Sequence, residues 1–138
     1  MGKEDARSML YRYLYISTSP DLSRDEVDHI LGSSQRNNAK ADITGMLVYN
    51  GRNFLQLLEG QSAELDALMR RIGNDQRHTG ISMLHRAEID ERSCPNWAMR
   101  RIAIGKNANS RRESVMQDLP GTLDDQTRDL ILNFATLN

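Results

Sequence analysis

The sequence has little cysteine, no excess of either charge and no long apolar run. One cysteine in 138 residues excludes an internal disulfide and fits a reducing compartment, so we expect a cytoplasmic protein. Lys and Arg number 18, Asp and Glu number 19, and the formal net charge is −1, which gives no electrostatic reason to expect nucleic acid or an acidic membrane as a partner. No apolar stretch approaches the about 20 residues that span a bilayer. The polar residues 1–7 do not resemble a signal peptide.

The usual catalytic constellations are also missing. The three histidines, at 29, 78 and 85, lack the spacing of a metal site, and Cys94 has no evident base partner. The serines lack a Gly-x-Ser-x-Gly setting, and the glycines form no phosphate-binding loop. The spacing of Asp42, Glu59 and Asp75 selects no acid–base pair, and we expect most of these carboxylates to be solvated. The sequence therefore predicts neither a metal site nor an enzyme.

Strand-forming residues are concentrated in five segments. Two of these segments flank Asn50-Gly51, a turn signal typical of an antiparallel hairpin. The five predicted strands cover residues 10–17, 43–49, 52–58, 81–89 and 97–104.

Four helices are predicted from apolar stripes and capping signals. They cover residues 23–39, 62–75, 110–119 and 122–137. The capping signals are Ser23 with Glu26, Ser62, Ser110, and Thr122 with Asp125.

The order of these elements predicts an α+β fold. It matches a ferredoxin-like βαββαβ(β) sandwich, with a mixed sheet and the first two helices on one face. We assign residues 9–105 to this domain and residues 106–138 to a C-terminal helical extension. The extension is expected to cover the other face of the sheet or to dock on a partner subunit.

Gln56 is a neutral amide inside the apolar run 54–58. Because side chains alternate along a strand, Gln56 shares its face with Phe54 and Leu58. An amide buried without partners costs about 1–3 kcal/mol, so the fold must satisfy it or use it. In the predicted fold, Tyr15 and Gln56 form the floor of a pocket between the helices.

The first helix becomes polar toward its C-terminal end, where Ser34 and Asn38 follow Ile30 at successive turns. Ile30 and Ile72 would form the walls of the pocket, which would suit a flat, hydrogen-bonding aromatic ligand. Taken singly, each residue also has a structural explanation. Backbone carbonyls could hold Gln56, and Asn38 could end its helix.

Six segments resemble, in order and spacing, the BLUF domains, which are blue-light sensors using FAD. The resemblance covers about residues 9–105. The segments are Tyr-Ile-Ser at 15–17, Ser-Gln-Arg-Asn-Asn-Ala at 34–39, Ile-Thr-Gly at 43–45, Phe-Leu-Gln-Leu-Leu-Glu-Gly at 54–60, Asp-Gln-Arg-His at 75–78 and Trp-Ala-Met at 97–99.

The resemblance implies specific roles for residues of this chain. Tyr15 matches the photoactive tyrosine and Gln56 the switching glutamine, while Trp97 and Met99 match a pair that relays the signal. The implied flavin contacts are Tyr15, Ile30, Ser34, Asn37, Asn38, Gln56, Ile72, Arg77 and His78. At position 37 some members carry histidine, and Leu55 replaces a common phenylalanine, which should alter packing more than photochemistry.

The implied function is that of a non-enzymatic photoreceptor. It would bind FAD non-covalently, with FMN or riboflavin as possible substitutes in recombinant protein, and pass an electron and a proton from Tyr15 to the flavin. Gln56 would then switch its hydrogen bonds. Output would go through a downstream signalling protein and a homo-oligomer. The alternatives are a small enzyme of the acylphosphatase type and an RNA-binding sheet that uses Tyr11 and Tyr13.

Overall fold

The computed structural model describes residues 9–19, 21–74, 79–94, 96–104 and 108–136. These described residues form five strands and four helices. In chain order they are β1 (Leu10–Thr18), α1 (Arg24–Ala41), β2 (Thr44–Tyr49), β3 (Asn53–Gln61), α2 (Ser62–Gly73), β4 (Thr79–Glu88), β5 (Arg100–Ile102), α3 (Ala108–Asp118) and α4 (Asp125–Thr136). None of the helices in the described part of the chain is both long and apolar enough to cross a membrane.

The five strands form one mixed sheet in the order β4-β1-β3-β2-β5. Neighbouring strands are antiparallel except β2 and β5, which run parallel. The predicted α+β, ferredoxin-like arrangement is confirmed. It places β1 and β3 side by side at the centre of the sheet.

Two local structures predicted from the sequence, a capping box and a hairpin turn, are present. Ser23 Oγ accepts a hydrogen bond from Glu26 N at 3.1 Å, and Glu26 Oε1 accepts one from Ser23 N at 3.0 Å, which completes the capping box of α1. The turn between β2 and β3 places Gly51 at a φ of 93°, a conformation that glycine adopts without steric cost. Asn50 Oδ1 accepts hydrogen bonds from the backbone N–H groups of Arg52 and Asn53, which closes the hairpin.

Three predicted caps are wrong. Ser62 lies inside α2, and Gln61 precedes the helix without a capping side chain. Ser110 lies inside α3, which begins at Ala108. At α4, Asp124 rather than Thr122 takes the capping position, because its carboxylate accepts from Thr127 N at 3.0 Å.

The last predicted strand, 97–104, is also too long. The strand β5 spans only Arg100–Ile102. The carbonyls of Ala98 and Met99 accept hydrogen bonds from side chains of α1 instead of from a neighbouring strand, whereas Trp97 O accepts from the sheet, at Gly45 N.

Each face of the sheet has its own hydrophobic core. The helix-side cluster, under α1 and α2, includes Tyr13, Tyr15, Ile30, Phe54, Leu58, Leu68 and Met99. The tail-side cluster, under α3 and α4, includes Leu14, Met46, Val48, Leu55, Leu57, Val115, Ile131 and Phe134. The C-terminal helices therefore cover the second face of the sheet, as one of the two predictions for them stated. The domain boundary near residue 105 stays a prediction.

Gly45 is required by a close approach of two strands. A Cβ built at this position would lie 2.0 Å from the Leu57 carbonyl oxygen, whereas at Gly32, in α1, the nearest atom is a flexible guanidinium nitrogen of Arg36 at 3.5 Å.

We therefore expect Gly45→Ala to lower the free energy of unfolding by about 1–3 kcal/mol, because β2 must shift away from β3. Gly32→Ala, in a helix interior, should instead be neutral or stabilise by up to about 1 kcal/mol. Urea unfolding of both variants measures the difference, and equal stability of the two would contradict the assigned strand contact.

Candidate functional site

Tyr15 and Gln56 lie directly opposite each other on β1 and β3. Residues that face each other across an antiparallel pair project from the same side of the sheet. Tyr15 is fully buried and Gln56 is 3% exposed. Both belong to the side covered by α1 and α2, because Tyr15, Phe54 and Leu58 are all members of the helix-side cluster. The predicted sharing of a face by Phe54, Gln56 and Leu58 is confirmed.

The Tyr15 hydroxyl is unusual among the buried groups. Within the described residues, Tyr15 Oη is the only buried side-chain nitrogen or oxygen that makes no hydrogen bond. Burial raises the pKa of this phenol far above its ordinary value, so the group is neutral. An unpartnered buried hydroxyl costs about 1–3 kcal/mol, and a redox or catalytic role is one of the explanations for such a group in a folded protein.

A cleft of about 100 Å³ lies between the two helices above Gln56. One wall comes from Ile30 of α1 and the other from Ile72 of α2. Hydroxyl and amide groups at the C-terminal half of α1 form the polar edge. The lining residues are Ile30, Ser33, Ser34, Asn37, Asn38, Gln56, Leu68, Arg71, Ile72 and Met99.

The cleft brings together most of the residues predicted from the sequence. Ile30, Ser34, Asn37, Asn38, Gln56 and Ile72 all line it. Tyr15 lies opposite Gln56 in the sheet without lining the cleft itself. Arg77 and His78, also predicted as ligand contacts, lie outside the described residues.

Three lining residues were not predicted: Ser33, Leu68 and Arg71. Leu68 belongs to the apolar stripe of α2, one turn before Ile72, so helical periodicity could have found it. Arg71 precedes Ile72 directly, but nothing in its sequence context distinguishes it from its neighbour Arg70, and both residues are exposed. Its guanidinium makes no ion pair with the described part of the chain and adds positive charge to the cleft.

Asn38 does not end its helix. The C-terminal cap of α1 is Asp42, in the left-handed conformation. The Asn38 side chain is 1% exposed and donates from Nδ2 to the carbonyl oxygen of Ala98 at 2.8 Å. One turn earlier, Gln35 Nε2 donates to the carbonyl oxygen of Met99 at 3.0 Å. The helix thus holds the backbone just before β5.

Met99 and Trp97 lie on opposite sides of this backbone. Met99 is buried in the helix-side cluster and lines the cleft together with Gln56. Trp97 packs against the tail-side cluster, and the guanidinium carbon of Arg100 lies 4.5 Å from the centre of its ring. Met99 rather than Trp97 is therefore the neighbour of the cleft in this structure.

The fold and the cleft define a class of protein: a small α+β domain with a cleft between two helices that has apolar walls and a polar edge. A sequence profile described as "Sensors of blue-light using FAD" matches residues 10–100, most of the chain. The chain belongs to this family, the BLUF domains. That assignment gives no support to the alternative of an acylphosphatase-type enzyme.

Relatives and solved structures agree with this assignment. The chain is 36% identical over 88 residues to photoactivated adenylate cyclase subunit beta of Euglena longa, covering 63% of this chain and 10% of that protein. It superimposes on BlrP1 of Klebsiella pneumoniae, solved with FMN and cyclic diGMP, with a TM-score of 0.78 and 26% identity, covering 92% of this chain and 34% of that one. It also superimposes on the dark-state structure of BlrB, a BLUF protein, with a TM-score of 0.70 and 28% identity, covering 93% of this chain and 95% of that one. The chain spans about a tenth of the length of the first curated relatives.

Proposed function

We propose that this chain is a blue-light receptor that binds FAD non-covalently in the cleft between α1 and α2. The observation that carries the proposal is the buried, unpartnered hydroxyl of Tyr15 directly opposite the amide of Gln56. Family membership supports a flavin as the ligand, and the family description favours FAD. FMN is a second candidate, since BlrP1 was solved with FMN.

The residues of the cleft fit a flavin. Ile30 and Ile72 offer two apolar walls for the faces of a flat ring, and Asn37, Asn38 and Gln56 offer amide donors and acceptors for its polar edge. Arg71 offers a positive charge to an anionic part of the ligand. Arg77 and His78 remain predicted contacts.

When bound, the flavin supplies a light-excited state that can accept an electron. Tyr15 is suited to give one because a neutral phenol can lose its electron together with its proton, so no charge is left buried. Gln56 is suited to handle that proton, since its amide carries both an acceptor oxygen and a donor nitrogen. Rotation of the amide, or a tautomeric shift in which its oxygen gains a proton and its nitrogen loses one, exchanges the bonds it makes without creating buried charge.

Met99 and Trp97 are suited to carry the change away from the cleft. Met99 lines the cleft beside Gln56, and Trp97 packs against the tail-side cluster beneath α3 and α4. A shift of their backbone would reach both faces of the sheet. We propose that this chain signals without catalysing a reaction, through a downstream signalling protein and self-association, in the cytoplasm.

Flavin binding tests this proposal. Protein reconstituted with FAD should hold about one flavin per chain, measured by absorbance after gel filtration. Ile72→Glu puts a carboxylate in an apolar wall and should weaken binding at least about tenfold.

The matched control is Ala63→Glu, which adds the same charge to the exposed first turn of α2, away from the cleft. It should bind FAD as the unmodified chain does. A chain that takes up neither FAD, FMN nor riboflavin would overturn the proposal, and equal binding by both variants would overturn the assigned cleft.

A further inference from the structure

Three consecutive carbonyl groups, at residues 97–99, are each held by a different donor. Trp97 O accepts from Gly45 N at 2.8 Å, and Ala98 O accepts from Asn38 Nδ2 at 2.8 Å. Met99 O accepts from Gln35 Nε2 at 3.0 Å. These residues, which we call the 97–99 segment, lie between the cleft on one side and the tail-side cluster on the other.

The three donors differ in how firmly they are held. Gly45 N belongs to the backbone of β2, and the Asn38 amide is buried. Gln35 is an exposed residue, so water competes for its amide and its long side chain loses rotamer freedom when bound. Of the three bonds, the one from Gln35 to Met99 O breaks at the lowest cost.

That bond holds the residue whose side chain lines the cleft. Met99 O belongs to the same residue whose side chain lines the cleft together with Gln56. At the other end of the segment, Arg100 stacks on Trp97 and lies 3.9 Å from Asp118 of α3. A displacement of the backbone at Met99 would therefore alter contacts both in the cleft and at the C-terminal helices.

We infer that Gln35 is a positioning residue whose hydrogen bond to Met99 O stabilises the dark arrangement of the 97–99 segment. The inference rests on the proposed light-receptor function. A net hydrogen bond of this kind changes an equilibrium by roughly two- to twelvefold. Removing the Gln35 hydrogen bond should raise the population of the displaced 97–99 segment by roughly two- to twelvefold. It should slow the return from the lit state by a similar factor.

The first experiment uses flavin-free protein. Trp97 is the single tryptophan of the chain, so its fluorescence reports on the 97–99 segment alone. Gln35→Leu removes the donor, and Gln35→Glu keeps the length but places a carboxylate against a carbonyl oxygen. Both should shift the emission to longer wavelength and increase quenching by acrylamide. The control is Gln117→Leu, the same exchange at an exposed position of α3.

The second experiment uses flavin-loaded protein. Recovery in the dark after blue light should be roughly two- to twelvefold slower in Gln35→Leu than in Gln117→Leu. Identical tryptophan emission and identical dark recovery in Gln35→Leu and Gln117→Leu would overturn the inference. Absence of a light response in the unmodified chain would overturn the proposed function instead, while the flavin-free emission still tests the contact of Gln35 with the segment.

Discussion

Tyr15→Phe is expected to bind flavin normally and to lose the light-induced spectral change of the unmodified chain. The phenyl ring keeps the packing of the helix-side cluster, but the hydroxyl that can release a proton along with its electron is gone. Loss of an unpartnered hydroxyl should also leave stability unchanged or raise it, because that hydroxyl is buried without a hydrogen bond. Absorption spectra in the dark and after blue light measure the effect.

Tyr13→Phe is the matched control for this variant. Tyr13 lies two residues away on the same strand and the same face, but its hydroxyl donates to Asp66 Oδ1 at 2.5 Å. Burial and this carboxylate raise the pKa of Tyr13 to about 12. Tyr13→Phe should keep the light response, and an unchanged response in Tyr15→Phe would contradict the role assigned to Tyr15.

Glu59→Ala is expected to cause the largest loss of stability, about 3–5 kcal/mol. It leaves the buried Arg12 guanidinium with only the half-exposed carboxylate of Asp124 as a counter-ion, and it removes the acceptor of two backbone N–H groups. Glu59 is fully buried, and its Oε2 accepts from Arg12 Nε at 3.0 Å and from Ser93 N at 3.1 Å. Its Oε1 accepts from Cys94 N at 2.8 Å. Arg12 also bonds Asp124, the cap of α4, at 2.6 Å. The network therefore joins the central strands to the C-terminal helix.

Asp28→Ala is the control for this prediction. Asp28 and Arg101 form an exposed ion pair at 3.8 Å, and removal of such a pair costs less than about 1 kcal/mol. Urea unfolding of both variants gives the comparison. If Glu59→Ala loses no more unfolding free energy than Asp28→Ala, the buried network does not hold the C-terminal helix to the sheet.

The sequence predicts the parts of the fold that depend on local chemistry. The capping box of Ser23 and Glu26 and the turn at Asn50-Gly51 form because their partners lie within a few residues. The cap of α4 was predicted wrongly. Asp124 also pairs with Arg12, more than a hundred residues away, and that contact is invisible in the local sequence.

The candidate site was predictable to a similar extent. Strand alternation and helix periodicity place Gln56, Ile30 and Ile72 around one cleft. Glu59 is an exception to the expectation that most of the carboxylates at 42, 59 and 75 are solvated, because it is fully buried and Arg12 neutralises its charge in the interior. Asp42 is solvated as expected, with 85% of its side chain exposed, and Asp75 lies outside the described residues.

The light-minus-dark absorption spectrum of the flavin-loaded chain tests the central claim most directly. We expect blue light to shift the flavin absorption reversibly to longer wavelength, because the amide of Gln56 exchanges the hydrogen bonds it makes. Gln56→Leu should bind flavin and lose this shift. A flavin-loaded chain whose spectrum does not respond to blue light, or a Gln56→Leu variant with the full shift, would contradict the claim.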